Sequence, residues 1–186
     1  GGAGIVQRLP RDEWCYSYRI WSERRTGLVL KTQTLNAHGR VLEQAAFSEV
    51  QLDAPVQAEQ LRQMMANTQG YRIVKAEHAR TTPQAEGWQL TTMVPGFEAR
   101  NCYRRPPSAS ASLVQCLFSD GLATVSLFMQ PLDPARHQQE GAVAMGATQT
   151  LTRRVVDRSG QWWVTAVGEV PPATLQAFVR GLERIP

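Results

Sequence analysis

The fold is decided by two stretches of the sequence. They are Ser119-Asp120-Gly121-Leu122-Ala123-Thr124-Val125-Ser126-Leu127-Phe128 and, further along, Val164-Thr165-Ala166-Val167-Gly168-Glu169-Val170-Pro171. In the first stretch Asp-Gly lies between two apolar runs, which is a strong signal for a hairpin turn that opens a strand. The second stretch predicts a buried strand that leads into the start of a helix. Neither contains a nucleophile beside a base, a metal-ligand cluster or a phosphate-binding loop.

The β pattern extends outward from these stretches over the second half of the chain. It predicts strands at 88–93, 97–103, 113–118, 122–130, 148–156 and 161–170, with an irregular loop at 131–146. Pro171-Pro172 marks a helix start, and apolar residues then recur at helical spacing: Leu175, Phe178, Val179 and Leu182. We therefore predict a unit at 87–186 with a sheet of five or six strands and a C-terminal helix on one face.

The first part of the chain predicts an antiparallel meander of three strands, at 14–21, 28–35 and 41–52. Alternation places one apolar set on a single face of the first strand: Trp14, Tyr16, Tyr18 and Ile20. This aromatic face either packs on a core, which is the favoured interpretation, or forms one wall of a cavity for acyl chains or an apolar peptide side chain. We predict that residues 1–53 form one unit and that it precedes the unit at 87–186 in the chain.

Residues 54–86 are predicted to connect the two units. A helix is predicted at 55–66, with the apolar stripe Val56, Leu61, Met64 and Met65. A short strand is predicted at 71–75. The fold class expected for the whole chain is α+β, mostly antiparallel β.

Composition and charge exclude several classes of protein. The 186 residues are 42% hydrophobic and 19% charged, which is typical of a globular protein. The net charge of +4 is spread thinly, with 9 basic against 7 acidic residues in 87–186, so the focused stripe of a nucleic-acid binder is missing. The three cysteines and three histidines do not have zinc-ligand spacing, and we expect no metal and no cofactor.

Two groups of residues invite a catalytic interpretation, and neither supports one. His137-Gln138-Gln139-Glu140 lacks the second histidine of a zinc-protease motif and lies in a predicted loop. Ser119-Asp120 has no histidine placed to join it, and turn residues before a strand explain the pair better. We expect no enzymatic activity.

Short stretches along the whole chain, taken in order, resemble the RseB/MucB family. For the end of the family's large N-terminal domain these are Pro10-Arg11-Asp12, Tyr16-Ser17-Tyr18-Arg19-Ile20-Trp21, Thr26-Gly27-Leu28-Val29-Leu30-Lys31, Gly39-Arg40-Val41-Leu42-Glu43-Gln44 and Phe47. For its small C-terminal domain they are Trp88, Pro95-Gly96-Phe97, Ser119-Asp120-Gly121-Leu122-Ala123 and Gly168-Glu169-Val170-Pro171. The N-terminal domain of this family resembles the lipoprotein carriers LolA and LolB.

The resemblance implies a function. Family members are periplasmic negative regulators that bind the periplasmic region of a transmembrane anti-sigma factor, shield it from site-1 proteolysis and release it on envelope stress. The alternative is a lipid or lipoprotein carrier that binds lipopolysaccharide or acyl chains. The resemblance also implies that the front of the carrier-like domain and a signal peptide are absent from this chain, so that an exposed sheet edge favours a homodimer.

Specific site residues follow from these expectations. Because Tyr and Arg most often anchor interfaces, we expect partner contacts at Tyr103, Arg104, Arg105, Arg153 and Arg154, although neighbours in a strand point to opposite faces. The alternative is that these arginines are only solvated. In the oxidising compartment that the family implies, Cys102 and Cys116 are expected to form a disulfide across the 106–112 loop, with two buried thiols as the alternative.

Overall fold

The computed structural model describes residues 2–55, 57–73, 78–105 and 113–185. Its regular structure is mostly antiparallel β, with two α-helices, and the expected α+β class is confirmed. None of the helices in these ranges is long and apolar enough to cross a membrane. Within the same ranges no group of three His, Cys, Asp or Glu side chains could hold a metal ion.

The first sheet has four antiparallel strands in chain order, one more than predicted. These are β1 (Ala3–Arg8), β2 (Ser17–Glu23), β3 (Val29–Leu35) and β4 (Val41–Ala46). Strand β4 is shorter than the predicted 41–52, because its partner β3 extends only from Val29 and pairs with β4 no further than Ala46. The prediction that Trp14 lies in a strand is wrong: its N–H binds the Asp12 carboxylate at 3.0 Å in a turn before β2.

Helix α1 (Ala58–Ala66) follows, and its apolar side chains remain exposed rather than forming a packed stripe. Met65, for example, is 82% exposed. The helix begins at Ala58, three residues after the predicted start at Pro55. Val56 and part of the strand predicted at 71–75 lie outside the described residues. The described residues 71–73 have no regular structure.

The second sheet is larger than predicted, with seven antiparallel strands in the order β10-β11-β12-β9-β8-β7-β5. The remaining elements, in chain order, are β5 (Ala79–Thr81), β6 (Trp88–Leu90), β7 (Glu98–Arg105), β8 (Leu113–Ser119), β9 (Thr124–Pro131), β10 (Gly141–Met145), β11 (Thr148–Asp157), β12 (Gly160–Gly168), α2 (Pro172–Gly181) and β13 (Leu182–Arg184). Strands β6 and β13 pair with each other in a separate two-stranded sheet.

Two strands of the large sheet were not predicted. Strand β5 lies inside the predicted connection 54–86 and pairs with β7. Strand β10 lies inside the predicted loop 131–146 and pairs with β11 through a two-residue turn. Both are short, and Gly141-Ala142-Val143-Ala144-Met145 is poor in the β-branched and aromatic residues that favour strands, so pairing with a neighbour determines their structure.

Helix α2 covers the core face of the large sheet, as predicted. Leu175, Phe178 and Val179 are buried, and Phe178 packs against Phe97 and Phe118 with ring centroids 5.4 and 5.1 Å away. Leu182, the last member of the predicted stripe, is also buried but lies in β13. The helix ends at Gly181, where a Cβ would lie 2.9 Å from the Thr92 carbonyl oxygen.

The end of the chain is fixed by Arg184. Its guanidinium lies over the rings of Trp88 and Trp162, 5.0 and 4.2 Å from their centroids. It also donates to the Glu86 carbonyl oxygen at 2.7 Å and pairs with the Asp157 carboxylate at 3.3 Å. These contacts join β6, β12 and β13 into one packed end of the sheet.

The predicted disulfide partners lie directly opposite each other on β7 and β8. Their Cα atoms are 4.1 Å apart, and the structure joins the two sulfur atoms. Both cysteines are buried, whereas Cys15 is the free cysteine of the described chain. The loop between the two strands lies outside the described residues.

We predict that Phe178→Ala lowers the free energy of unfolding by about 3–5 kcal/mol, because a ring with no exposed surface leaves a cavity that the sheet cannot close. Gln176→Ala, on the exposed side of the same helix, is the control and should change it by less than about 0.5 kcal/mol. Urea denaturation of the three proteins measures both. Equal stability of Phe178→Ala and wild type would contradict the packing.

We predict that the oxidised protein, once denatured without reductant, reacts with one equivalent of a thiol reagent, at Cys15. Replacing Cys102 and Cys116 together by alanine should lower stability by roughly 2–3 kcal/mol, since the closed loop is short. Peptide mapping by mass spectrometry identifies the linked peptides. Three reactive thiols in the oxidised protein would show that the bond does not form.

Candidate partner-binding surface

The first contact between the two sheets forms where the chain enters β2. Trp14 and Cys15 pack against the core of the second sheet, and the Trp14 carbonyl accepts a 2.7 Å hydrogen bond from the buried Thr174 hydroxyl of α2. The Cys15 thiol donates to Asp120 Oδ2 at 3.1 Å. The Asp120 carboxylate also accepts the N–H groups of Leu122 and Ala123, so the turn before β9 is held by the same side chain.

These contacts set the charge of the junction. Burial, followed by the hydrogen bond to Asp120, raises the pKa of the Cys15 thiol to about 12. Burial also raises the pKa of Tyr18 to about 12. Although burial alone would raise the pKa of Asp120, its N–H donors and the Cys15 thiol hold it below the ordinary value. The junction therefore carries a carboxylate and a protonated thiol, which is not a nucleophile.

A second contact lies at the turn between β10 and β11. The Ala147 N–H donates to Glu43 Oε2 of β4 at 3.2 Å. Gly146 has a φ of +61°, a left-handed conformation that favours glycine, and a Cβ there would lie 3.0 Å from the same oxygen.

A cleft of about 580 Å³ opens between the first sheet and the turn before β9. Its walls carry charges of both signs, with Arg8 and Arg11 close to Asp12 and Asp120. Mixed charge and polar walls make it unsuited to an acyl chain.

The predicted lipid-facing residues therefore lie in two different places. Trp14, Tyr16 and Tyr18 lie at or beside the junction with the second sheet, whereas Ile20 lies further along β2 opposite the exposed Val6 of β1. A lipid-facing role for the four residues stays a prediction.

Strand register decides which predicted partner-binding residues share a face. The row Arg104, Val114, Met129, Val164 and Arg153 crosses five strands. Its three central members are buried in the core, so its two arginines lie on the side that α2 covers. By alternation, Tyr103, Arg105 and Arg154 lie on the opposite side, which we call the open face.

The open face begins with Tyr103 and Arg105 of β7. Arg105 donates to the Gln115 side chain at 2.8 Å, which leaves its charge unpaired among the described residues. Arg154 lies at the other end of the face, four strand spacings away, which is about 19 Å. The five predicted residues thus do not form one patch.

Arg104 is held within the fold. Its guanidinium binds the Glu86 carboxylate, with a shortest distance of 2.7 Å, and Glu86 also accepts the Thr81 hydroxyl. Burial alone would raise the pKa of Glu86, but these two donors lower it below the ordinary value. Arg104 is therefore a poor candidate for a partner contact.

The sequence did not indicate Arg80 as a candidate. It lies opposite Tyr103 in the pairing of β5 with β7, on the open face, and donates to Asn101 at 3.2 Å. The three-residue strand that places it there has no detectable period. His137, weighed as a metal ligand, instead stacks on Trp163 with centroids 4.9 Å apart.

Comparison with protein-family models gives two matches. The model of the MucB/RseB N-terminal domain matches residues 2–65, and that of the MucB/RseB C-terminal domain matches residues 82–183.

Two curated relatives carry the names of regulatory proteins. The chain is 32% identical to the sigma factor AlgU regulatory protein MucB of Pseudomonas aeruginosa over 94% of its length, and 24% identical to the sigma-E factor regulatory protein RseB of Escherichia coli K12 over 96%. In both cases it covers 54% of the relative, so the chain spans about half the length of these proteins.

Solved structures show the same fold. A crystal structure of MucB in complex with MucA(peri) has a TM-score of 0.78 at 25% identity, covering 99% of this chain and 62% of that one. The Pseudomonas aeruginosa MucA/MucB complex has a TM-score of 0.77 at 26% identity, covering 99% of this chain and 60% of that one.

We predict that Asp120 stabilises the protein at neutral pH and that this stabilisation is lost in acid. Since its pKa is lowered by folding, it contributes stability above the ordinary value of 3.8, and this contribution is lost as the pH falls through the folded pKa. The difference in unfolding free energy between wild type and Asp120→Asn should be constant from about pH 7 to pH 5 and shrink below about pH 4. Urea denaturation across this range measures it, and a difference unchanged down to about pH 2.5 would contradict the assignment.

Proposed function

Because the chain belongs to the MucB/RseB family, we propose that it is part of a periplasmic regulator that binds the periplasmic region of a transmembrane anti-sigma factor. Binding would shield that region from site-1 proteolysis, and envelope stress would release it. In this proposal residues 1–53 are the end of the lipoprotein-carrier-like domain, 54–86 the connection and 87–186 the C-terminal domain.

The strongest support for the proposal is the agreement between the family models and the solved structures. The two family models match in order along one chain, and 99% of that chain superimposes on MucB as it occurs in complexes with MucA. The chain covers 62% and 60% of the MucB chains in those two complexes. The protonated Cys15 and the stacked His137 add no catalytic group, which is consistent with a binding protein.

We propose that the open face of the second sheet supplies partner contacts through Tyr103, Arg105 and, at its far end, Arg154, with Arg80 beside Tyr103. Tyrosine and arginine are the residue types that most often anchor interfaces, and these arginines have no acidic partner among the described residues. Arg104 is left out because Glu86 already binds it. Arg153 lies on the other side of the sheet, where it adds to a different surface.

A second candidate function is the binding of acyl chains, such as those of lipopolysaccharide, by the first sheet. A hollow of about 220 Å³ lies on β3 and β4, and its mostly apolar lining consists of Val29, Leu30, Lys31, Thr32, Ala45, Ala46 and Phe47. Phe47 is largely exposed beside it. An exposed apolar hollow of this kind favours an apolar ligand, and this site is separate from the open face.

The proposal predicts that the chain binds MucA(peri) in a titration followed by calorimetry, and that the open face contributes. Tyr103→Ala should weaken binding about tenfold or more if the ring is an anchor. Arg105→Ala and Arg154→Ala should slow association and reduce its dependence on salt more than they speed dissociation.

Arg62→Ala is the matched control, because it removes one exposed arginine from α1 and breaks only a surface pair with Glu59. It should bind as wild type does. No binding of the wild-type chain at low or physiological salt would overturn the proposed function. Wild-type binding with all three open-face variants unchanged would move the contacts to another surface.

A further inference from the structure

Strand β10 forms a bare edge of the seven-stranded sheet. It pairs with β11 on one side, and no strand in the described part of the chain pairs with its other side. All five of its residues are exposed, with Val143 at 65% and Met145 at 78%. Natural edge strands are usually protected by a charge, a proline or a bulge, and Gly141-Ala142-Val143-Ala144-Met145 has none of these.

The pairing with β11 determines which backbone groups are free. Met145 and Thr148 flank a two-residue turn, so they form a hydrogen-bonded pair, and bonded and non-bonded pairs then alternate along the hairpin. Ala142 and Ala144 occupy the non-bonded positions. Their N–H and C=O groups therefore point away from β11, in the positions that an added strand would use.

A groove lies beside this edge on the side covered by α2. It has a volume of about 390 Å³, and it is lined by β11 and by the exposed side of the helix. Arg153 contributes from β11 and Arg180 from α2, and neither forms an ion pair within the described residues.

One acidic side chain also lines the groove. Glu140 accepts the backbone N–H of Arg154 at 2.7 Å, so one of its oxygens is already bound. Two arginines against one carboxylate leave the groove with a net positive charge. The groove is therefore suited to a ligand that carries carboxylates, and it lies next to free backbone groups.

We propose that β10 is a strand-addition site for an extended acidic segment of the partner, a proposal that rests on the function proposed above. The segment would pair with the free groups of Ala142 and Ala144. Since side chains of a strand alternate between faces, every second residue would point toward Arg153 and Arg180 and would be acidic. The residues between would be apolar and would contact Val143 and Met145 on the open face.

Charge selects this occupant over a second copy of the chain. Pairing of two β10 edges would bring two copies of Arg153 and Arg180 to one seam, where like charges repel. An acidic segment instead compensates them. The alternation of acidic and apolar residues also distinguishes this site from the binding of a helix, whose side chains repeat every three to four residues.

Ala144→Pro tests the backbone contact in the whole chain. Proline removes the outward N–H of β10 without removing a bond to β11, and proline is tolerated on edge strands. Ala144→Val, which keeps the N–H, is the control. We expect affinity for MucA(peri) to fall at least tenfold for Ala144→Pro and less than threefold for Ala144→Val, with unfolding curves confirming that both variants fold.

The double variant Arg153→Ala/Arg180→Ala tests the charge, with Arg158→Ala in the exposed β11–β12 turn as its control. We expect weaker binding and a smaller salt dependence for the double variant alone. Hydrogen exchange should show protection of Ala142 and Ala144 amides by MucA(peri).

The outcomes separate the two proposals. Wild-type binding with unchanged affinity of Ala144→Pro, or with unprotected Ala142 and Ala144 amides, overturns strand addition and leaves the proposed function intact. No binding by wild type overturns both. Concentration-dependent dimers that Ala144→Pro abolishes, seen by sedimentation without partner, would assign the edge to a second copy and also overturn the proposal.

Discussion

The packing of Phe178 against the central strands of the large sheet is the contact on which the rest of the structure depends. Val125, Leu127, Val164 and Ala166 have essentially no exposed surface beneath α2. Because side chains alternate along a strand, burying this one set fixes the face of every other residue in the sheet. The separation of Arg104 and Arg153 from Tyr103, Arg105 and Arg154 follows from it directly. A slip of one residue in β7 or β11 would move that strand's members of each group to the opposite face.

Much of this arrangement could be predicted from the sequence. The Asp-Gly turn, the alternating strands 113–118 and 122–130 and the apolar spacing of α2 each carry a local period, and all were correct to within a few residues. Strands β5 and β10 were missed because they have three and five residues and no favourable composition. What stabilises them is pairing with β7 and β11, which is information that a single sequence window does not contain.

The candidate site was predicted less completely, for a related physical reason. Residue type singled out Tyr103 and the paired arginines, and the alternation rule stated that no pair shares a face. Whether a given arginine is free depends on neighbours distant in sequence. Glu86 binds Arg104, which is 18 residues away. Arg153 and Arg180 line the same groove, and that groove exists only because α2 packs on the sheet. The aromatic set Trp14, Tyr16 and Tyr18 shows the same effect, since these residues lie at or beside the junction.

The junction also connects the two proposed sites. Glu43 of the first sheet binds the turn of the β10–β11 hairpin, whose outer edge is the proposed strand-addition site. Suppose that the two sheets can adopt two arrangements, and that the hairpin binds the partner less well in one of them. An apolar ligand on the first sheet lowers affinity for the partner only if it prefers that arrangement. Such a preference would act through the described hydrogen bonds of Ala147 with Glu43, Cys15 with Asp120 and Thr174 with Trp14. Release by a stress signal therefore does not require the signal to compete for the open face, because the two ligands would be coupled through a junction that neither of them contacts.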